Sequence, residues 1–214
     1  MRMEKERNEV VTFGNKLIAA GLTTGTGGNV SVFNREQGLV AVSPSALDYA
    51  DTRPDDVVLV SIEGEVVEGS RKPSSETPLH LAHYRIRPDV CGIVHTHSVF
   101  ATTIATLRWE IPPMHYLVAF SGKKVPIAPY ATHGTEELAR VTSEAIGEAN
   151  AVLMANHGLI AVGADIAAAF ATAEIVELMA QIYYQAKSIG EPVNLTDAEM
   201  NDVLAGFANY GQGK

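Results

Sequence analysis

Three short β-prone runs crowd into the first third of the chain, and their spacing restricts the fold more than any other feature. GTGGNVSVFN turns on glycines into the alternating Val30 and Val32 of a strand, and GLVAVSPS and DVVLVSI follow, separated by turn-forming Pro and Asp. A parallel pair needs a crossover of a dozen or more residues, usually a helix, and these gaps are too short. Most neighbouring strands therefore pair antiparallel. Between and after them lie helical patterns. Val10, Phe13, Leu17 and Ala20 predict an amphipathic helix over residues 4–20, stopped by Gly21. A helix starting at Ser74 or Ser75 carries Leu79, Ala82 and Ile86 on one face, and another covers residues 99–107. Thr135 caps a helix with Glu136 and Glu137 at its positive end, and Asp165 opens a long one whose Phe170, Ala173, Val176, Met179 and Tyr183 form a core stripe. YLVAF and VPIAP read as strands or extended segments, and AVLMANHGLIAV as two apolar strands around an Asn156-His157-Gly158 turn. The expected fold is α/β: one three-layer α/β/α domain over residues 1–214, with a mixed, largely antiparallel central sheet and a short mobile tail from about residue 196. A doubly wound Rossmann sheet is the competitor, but its GxGxxG fingerprint is missing, and GTGGN leads into a strand rather than a helix.

Bulk properties exclude several functions. A net charge of -9 argues against a protein that neutralises nucleic-acid phosphates or anionic lipid. Cys91 is the single cysteine, so no internal disulfide forms and a reducing cytoplasm is expected. MRMEKERNEV is too charged for a signal peptide, and no apolar run is expected to reach the ~20 residues of a membrane span.

GIVHTHS carries the chemistry. On a strand, positions i and i+2 share a face, so His95 and His97 project together while Thr96 turns away. Two imidazoles side by side repel when protonated and waste burial when neutral, which points to a metal. His157 adds a third imidazole from a rigid turn, and three neutral imidazoles with an open position suit catalytic zinc, with manganese or cobalt as alternatives. A carboxylate belongs nearby, and RKPSSETPLH offers Glu76 in the first turn of its helix. There Ser74 and Ser75 either cap the helix or present hydroxyls and amides to an anion. GTGGN and SPSA are two further loops of small and hydroxyl residues, so the three together suggest a phosphorylated small molecule. His80 and His83 read as helix-packing or solvent-facing residues and His133 as a loop residue, while His115 has no assigned part.

GTGGNVSV, VSPSALDY, KPSSE, IVHTHS, MHYLVAFSGKKVPIAPYATHGT, ANHGLIAV and NYG stand in the order and spacing of the class II aldolase/adducin family, which the chain resembles from about residue 7 to 211. The nearest members in pattern act on L-fuculose 1-phosphate and 5-deoxypentulose phosphates. The resemblance implies zinc-dependent, reversible cleavage of such a ketose 1-phosphate into dihydroxyacetone phosphate and a short aldehyde, lactaldehyde or acetaldehyde. It implies His95, His97 and His157 as ligands and Glu76 as catalytic residue and resting-state ligand. Gly28, Asn29, Ser45, Ala46, Ser74 and Ser75 match substrate and phosphate positions. Tyr116 matches a catalytic tyrosine supplied across a subunit interface, and Tyr210 one from the C-terminal tail, in a cytoplasmic homotetramer. Relatives usually carry Gly where this chain has Ala46, a departure that matters if the position needs a positive φ. The family also holds pentulose-5-phosphate 4-epimerases, methylthioribulose-1-phosphate dehydratases and the non-catalytic adducin head. Epimerases usually have Asp at the position of Glu76 and a longer chain, and the adducin module lacks the complete ligand set.

Overall fold

The computed structural model describes residues 1–207. Its strands are β1 (Asn29–Asn34), β2 (Leu39–Val42), β3 (Val58–Ser61), β4 (Val66–Glu68), β5 (Gly92–Thr96), β6 (Ile127–Ala128), β7 (Ala151–Met154) and β8 (Gly158–Gly163). The helices are α1 (Glu4–Ala19), α2 (Thr77–Ile86), α3 (Val99–Thr106), α4 (Glu136–Ile146), α5 (Ile166–Ile189) and α6 (Asp197–Phe207). All eight strands join one sheet in the order β4-β3-β2-β1-β5-β8-β7-β6. Only β6 and β7 run parallel, and α4 supplies the crossover between them.

Apart from the exposed edge strand β4, the strands are largely buried on both faces, so alternate residues enter two separate cores. Val94, Leu159 and Ala161 pack with α1, α3 and α5, while Ile93, Ile160 and Val162 pack with α2 and α4. This is the expected three-layer arrangement. Expected caps hold as well: Thr135 Oγ1 accepts from the Leu138 amide at 3.2 Å, and Asp165 Oδ1 from that of Ala168 at 2.8 Å.

Several local expectations need correction. YLVAF is a 3-10 helix, Tyr116–Phe120, because the Leu117 amide donates to His115 Nδ1 at 3.2 Å and the Val118 amide to the His115 carbonyl at 3.0 Å. α2 begins at Thr77, with Glu76 at its N-cap, because Ser74 captures the amides of both residues in a preceding turn. Its buried face is Leu79, His80, His83 and Tyr84, whereas Ile86 is exposed. β4 escaped notice because Val66 and Val67 are exposed on a three-residue edge strand, with no burial pattern to read. Of the expected tail, residues 197–207 form α6, with Met200 buried, and Tyr210 lies outside the described residues. By length and composition α5 is apolar enough to match a membrane span, contrary to expectation. Its expected stripe is buried in the core against β5 and β8, which accounts for that apolarity.

Candidate metal centre

The sheet converges three chain segments on the end of β5. Pairing with β1 puts Asn29 opposite His95, and pairing with β8 puts Ile160 there on the other side. His95 Nδ1 donates to the Leu159 carbonyl at 2.9 Å, which turns Nε2 to the site, where it is bare whenever the ring is neutral. His97, just beyond the strand, brings its Nε2 to 3.0 Å from that atom. His157 enters from the β7–β8 turn, with Asn156 left-handed at φ 56° beside it. A Cβ on Gly158 would lie 2.3 Å from the Thr96 carbonyl oxygen, and one on Gly28 2.5 Å from that of His95. Glycine at these two positions lets both neighbouring segments press onto the β5 backbone.

Glu76 completes the group from the N-terminus of α2. Its Oε2 lies 3.0 Å from His95 Nε2 and its Oε1 3.4 Å from His157 Nε2. Asn29 Nδ2 donates to Oε2 at 3.0 Å. One donor atom from each of Glu76, His95, His97 and His157 falls within 4.8 Å of all the others. Glu76 Oε1 and His157 Nδ1 are buried without a hydrogen-bond partner. Three imidazoles and a carboxylate so placed fit a divalent cation of the zinc, manganese or cobalt kind.

Electrostatics agree with that fit. Burial works against the Glu76 carboxylate, yet the His95 and His157 rings and the Asn29 amide hold it well below the usual carboxylate range. Burial also opposes charge on His95, but Glu76 beside it prevails and raises that ring. Burial, followed by repulsion from His95, pushes His97 and His157 down to about 4. Glu76 and His95 thus favour each other's charged forms, and a cation at the same place would favour the carboxylate in the same way.

The group opens into a cleft of about 410 Å³. Gly28, Asn29, Ser45, Ala46, Ser74 and Ser75 all line it. Ala46 has φ 55°, so it occupies the left-handed conformation that glycine adopts freely. The expected free amides at the start of α2 are largely engaged: Ser74 donates to the Ser43 carbonyl, Glu76 to Ser74 Oγ and Thr77 to the Ser74 carbonyl. Exposed Ser75 remains at the cleft wall. Tyr116 does not line the cleft. It is half exposed and sits beside His115 and Phe207. Sequence reasoning missed Thr26, Tyr130, His133 and Asn156 as cleft residues; for His133 the available signal was its place in a loop of the YATHGT motif.

Residues 8–184 match the family described as Class II Aldolase and Adducin N-terminal domain. The chain belongs to this family. Among class II aldolases, a 5-deoxy-D-ribulose 1-phosphate aldolase of Bacillus thuringiensis serovar kurstaki is 55% identical over 212 residues, covering 99% of this chain and 100% of that protein. A 5-methylthioribulose-1-phosphate/5-deoxyribulose-1-phosphate aldolase of Rhodospirillum rubrum is 42% identical over 206 residues, 96% of this chain and 92% of that protein. A solved L-fuculose 1-phosphate aldolase has a TM-score of 0.95 at 44% identity, covering 97% of this chain and 98% of that one.

Proposed function

We propose that this class II aldolase reversibly cleaves a ketose 1-phosphate, 5-deoxyribulose 1-phosphate or L-fuculose 1-phosphate, into dihydroxyacetone phosphate and acetaldehyde or lactaldehyde. The observation that carries this reading is the convergence of Glu76, His95, His97 and His157 at one cleft. The activities of relatives at 55% and 42% identity support the substrate class.

The three imidazoles and Glu76 would hold zinc, or manganese or cobalt in its place. Such a cation supplies Lewis acidity that takes up the electrons released when a carbon–carbon bond beside a carbonyl breaks. The chain's own residues handle protons and position. In the cleavage direction the C3–C4 bond breaks, the C4 hydroxyl loses its proton, and C3 gains one. Glu76, anchored at Oε2 by Asn29, takes a proton from water and delivers it to C3 through Oε1, the oxygen that no hydrogen bond engages. Tyr116, exposed and outside the cleft of its own chain, relays the proton from the C4 oxygen of a substrate in a neighbouring subunit to water, accepting it as its own hydroxyl hydrogen leaves. That arrangement requires an assembly, which we take to be a cytoplasmic homotetramer. Ser45, Ser75 and the backbone around Gly28 and Ala46 form the wall that receives the phosphate.

A cleavage assay across 5-deoxyribulose, ribulose, fuculose and rhamnulose 1-phosphates, with zinc and with manganese, tests the reading. Trapping dihydroxyacetone phosphate separates cleavage from epimerisation or loss of water. Metal-dependent release of that product supports it, and a fully metalated protein that releases none from any of the four overturns it.

A further inference from the structure

Glu76, His80 and Tyr84 stand four residues apart along α2 and its N-cap, and Asn29 and Ser31 stand two apart on β1. One face of the helix thus meets one face of the strand. His80 has no exposed surface, and burial pushes it down to about 3, so the ring is neutral. Its tautomer follows from the carboxylate. Glu76 can only accept, so Asn29 turns its Nδ2 to Oε2 and presents Oδ1 to His80 Nε2, 2.5 Å away. Nε2 therefore carries the hydrogen, and bare Nδ1 accepts from Ser31 Oγ at 2.6 Å. Tyr84 closes the far end, donating to the Ser31 carbonyl at 3.0 Å with its hydroxyl 2.8 Å from Ser31 Oγ. Ser31, His80 and Asn29 donate in series toward one carboxylate oxygen.

We infer that His80 is a positioning residue of the aldol cleavage, acting through Asn29 to fix Glu76 Oε2 and leave Oε1, which no hydrogen bond engages, to carry the proton. The inference rests on Glu76 being the proton carrier. A neutral, buried imidazole contributes nothing to the sheet ladder, and an apolar side chain would fill the same space without desolvation cost. Its use lies in its direction: each donor polarises the next, and the last one holds the carboxylate.

The zinc-loaded protein is tested as parent, His80→Leu, His80→Gln and Ser31→Ala, with metal content, kcat, KM and imidazole nitrogen NMR as readouts. In the parent, His80 should show a hydrogen on Nε2 and a bare Nδ1. His80→Leu should keep its metal and its KM while kcat falls about 10–100-fold. His80→Gln, whose amide can donate where Nε2 stood, should recover most of that rate. Should His80→Leu fail to fold, Ser31→Ala decides, because it keeps the ring but releases Nδ1: a mixture of tautomers with reduced kcat is expected. The inference is overturned by a hydrogen on Nδ1 in the parent, by an unchanged kcat in His80→Leu, by His80→Gln as slow as His80→Leu, or by Ser31→Ala with parental tautomer and rate. A parent that shows the expected tautomer but cleaves none of the ketose phosphates sinks the functional reading instead.

Discussion

The Nε2 atoms of His95 and His97 lie 3.0 Å apart, with Glu76 Oε2 also 3.0 Å from the first. His95 donates from Nδ1, so two lone pairs confront each other unless a proton or a cation lies between. Metal binding to this folded geometry must then stabilise it. Zinc at about a hundred times its dissociation constant should add about 2.7 kcal/mol to unfolding free energy. Thermal melts of chelator-treated protein with and without zinc measure this, and His97→Ala should lose most of the increment.

Glu76→Gln keeps the shape at the N-cap of α2 and removes the charge and the basic oxygen. Turnover should fall by about 10²–10⁴, the usual worth of a positioned acid–base group. Metal content from elemental analysis should stay near stoichiometric because the three imidazoles remain. Normal turnover in a metal-loaded Glu76→Gln protein would take Glu76 out of the mechanism.

Ala46 holds φ 55° at the cleft wall, where a Cβ is disfavoured by about 1–2 kcal/mol. Ala46→Gly should raise stability in urea denaturation by roughly 1 kcal/mol, the relief being partly offset by the greater entropy of glycine in the unfolded chain. The variant should also show whether the methyl group hinders phosphate, through a lower KM.

The candidate metal cluster was legible because strand alternation fixes which way His95 and His97 point, and because a histidine in the tight turn between two apolar runs has few structural uses. The sheet was legible because most of its strands are short apolar runs, and those of the first third are joined by gaps too short for a crossover. His80 was not legible. Helical periodicity marks a buried face by its apolar residues, and α2 buries His80, His83 and Tyr84 there instead. The partners of His80 and Tyr84, Asn29 and Ser31, lie 49 to 53 residues away along the chain and meet them only through the β1–α2 packing. The two-residue β6 lies within VPIAP, a run that reads as strand or extended from the sequence, and it pairs beside Leu153 and Met154 of β7.

His83 predicts an acid-sensitive term in stability separate from the metal. It is fully buried, donates from Nδ1 to the Leu79 carbonyl at 2.8 Å, and leaves Nε2 without a partner. Burial, aided by the nearby Arg87 and opposed by the Leu79 carbonyl, lowers it from 6.5 to about 4. Between those values the unfolded chain binds the proton and the folded one does not, so folding weakens as pH falls. The contribution is intact above about 6.5 and is lost progressively down to about 4, amounting to on the order of 3 kcal/mol. His83→Leu removes the titrating ring and its orphaned nitrogen together. Urea unfolding of parent and variant at matched metal, from neutral pH to pH ~4, should give curves that diverge on acidification, the variant retaining more stability by about that amount. His80 and the metal ligands titrate in both proteins and cancel in the difference. Parallel curves would mean that His83 is protonated in the fold, with a partner at Nε2.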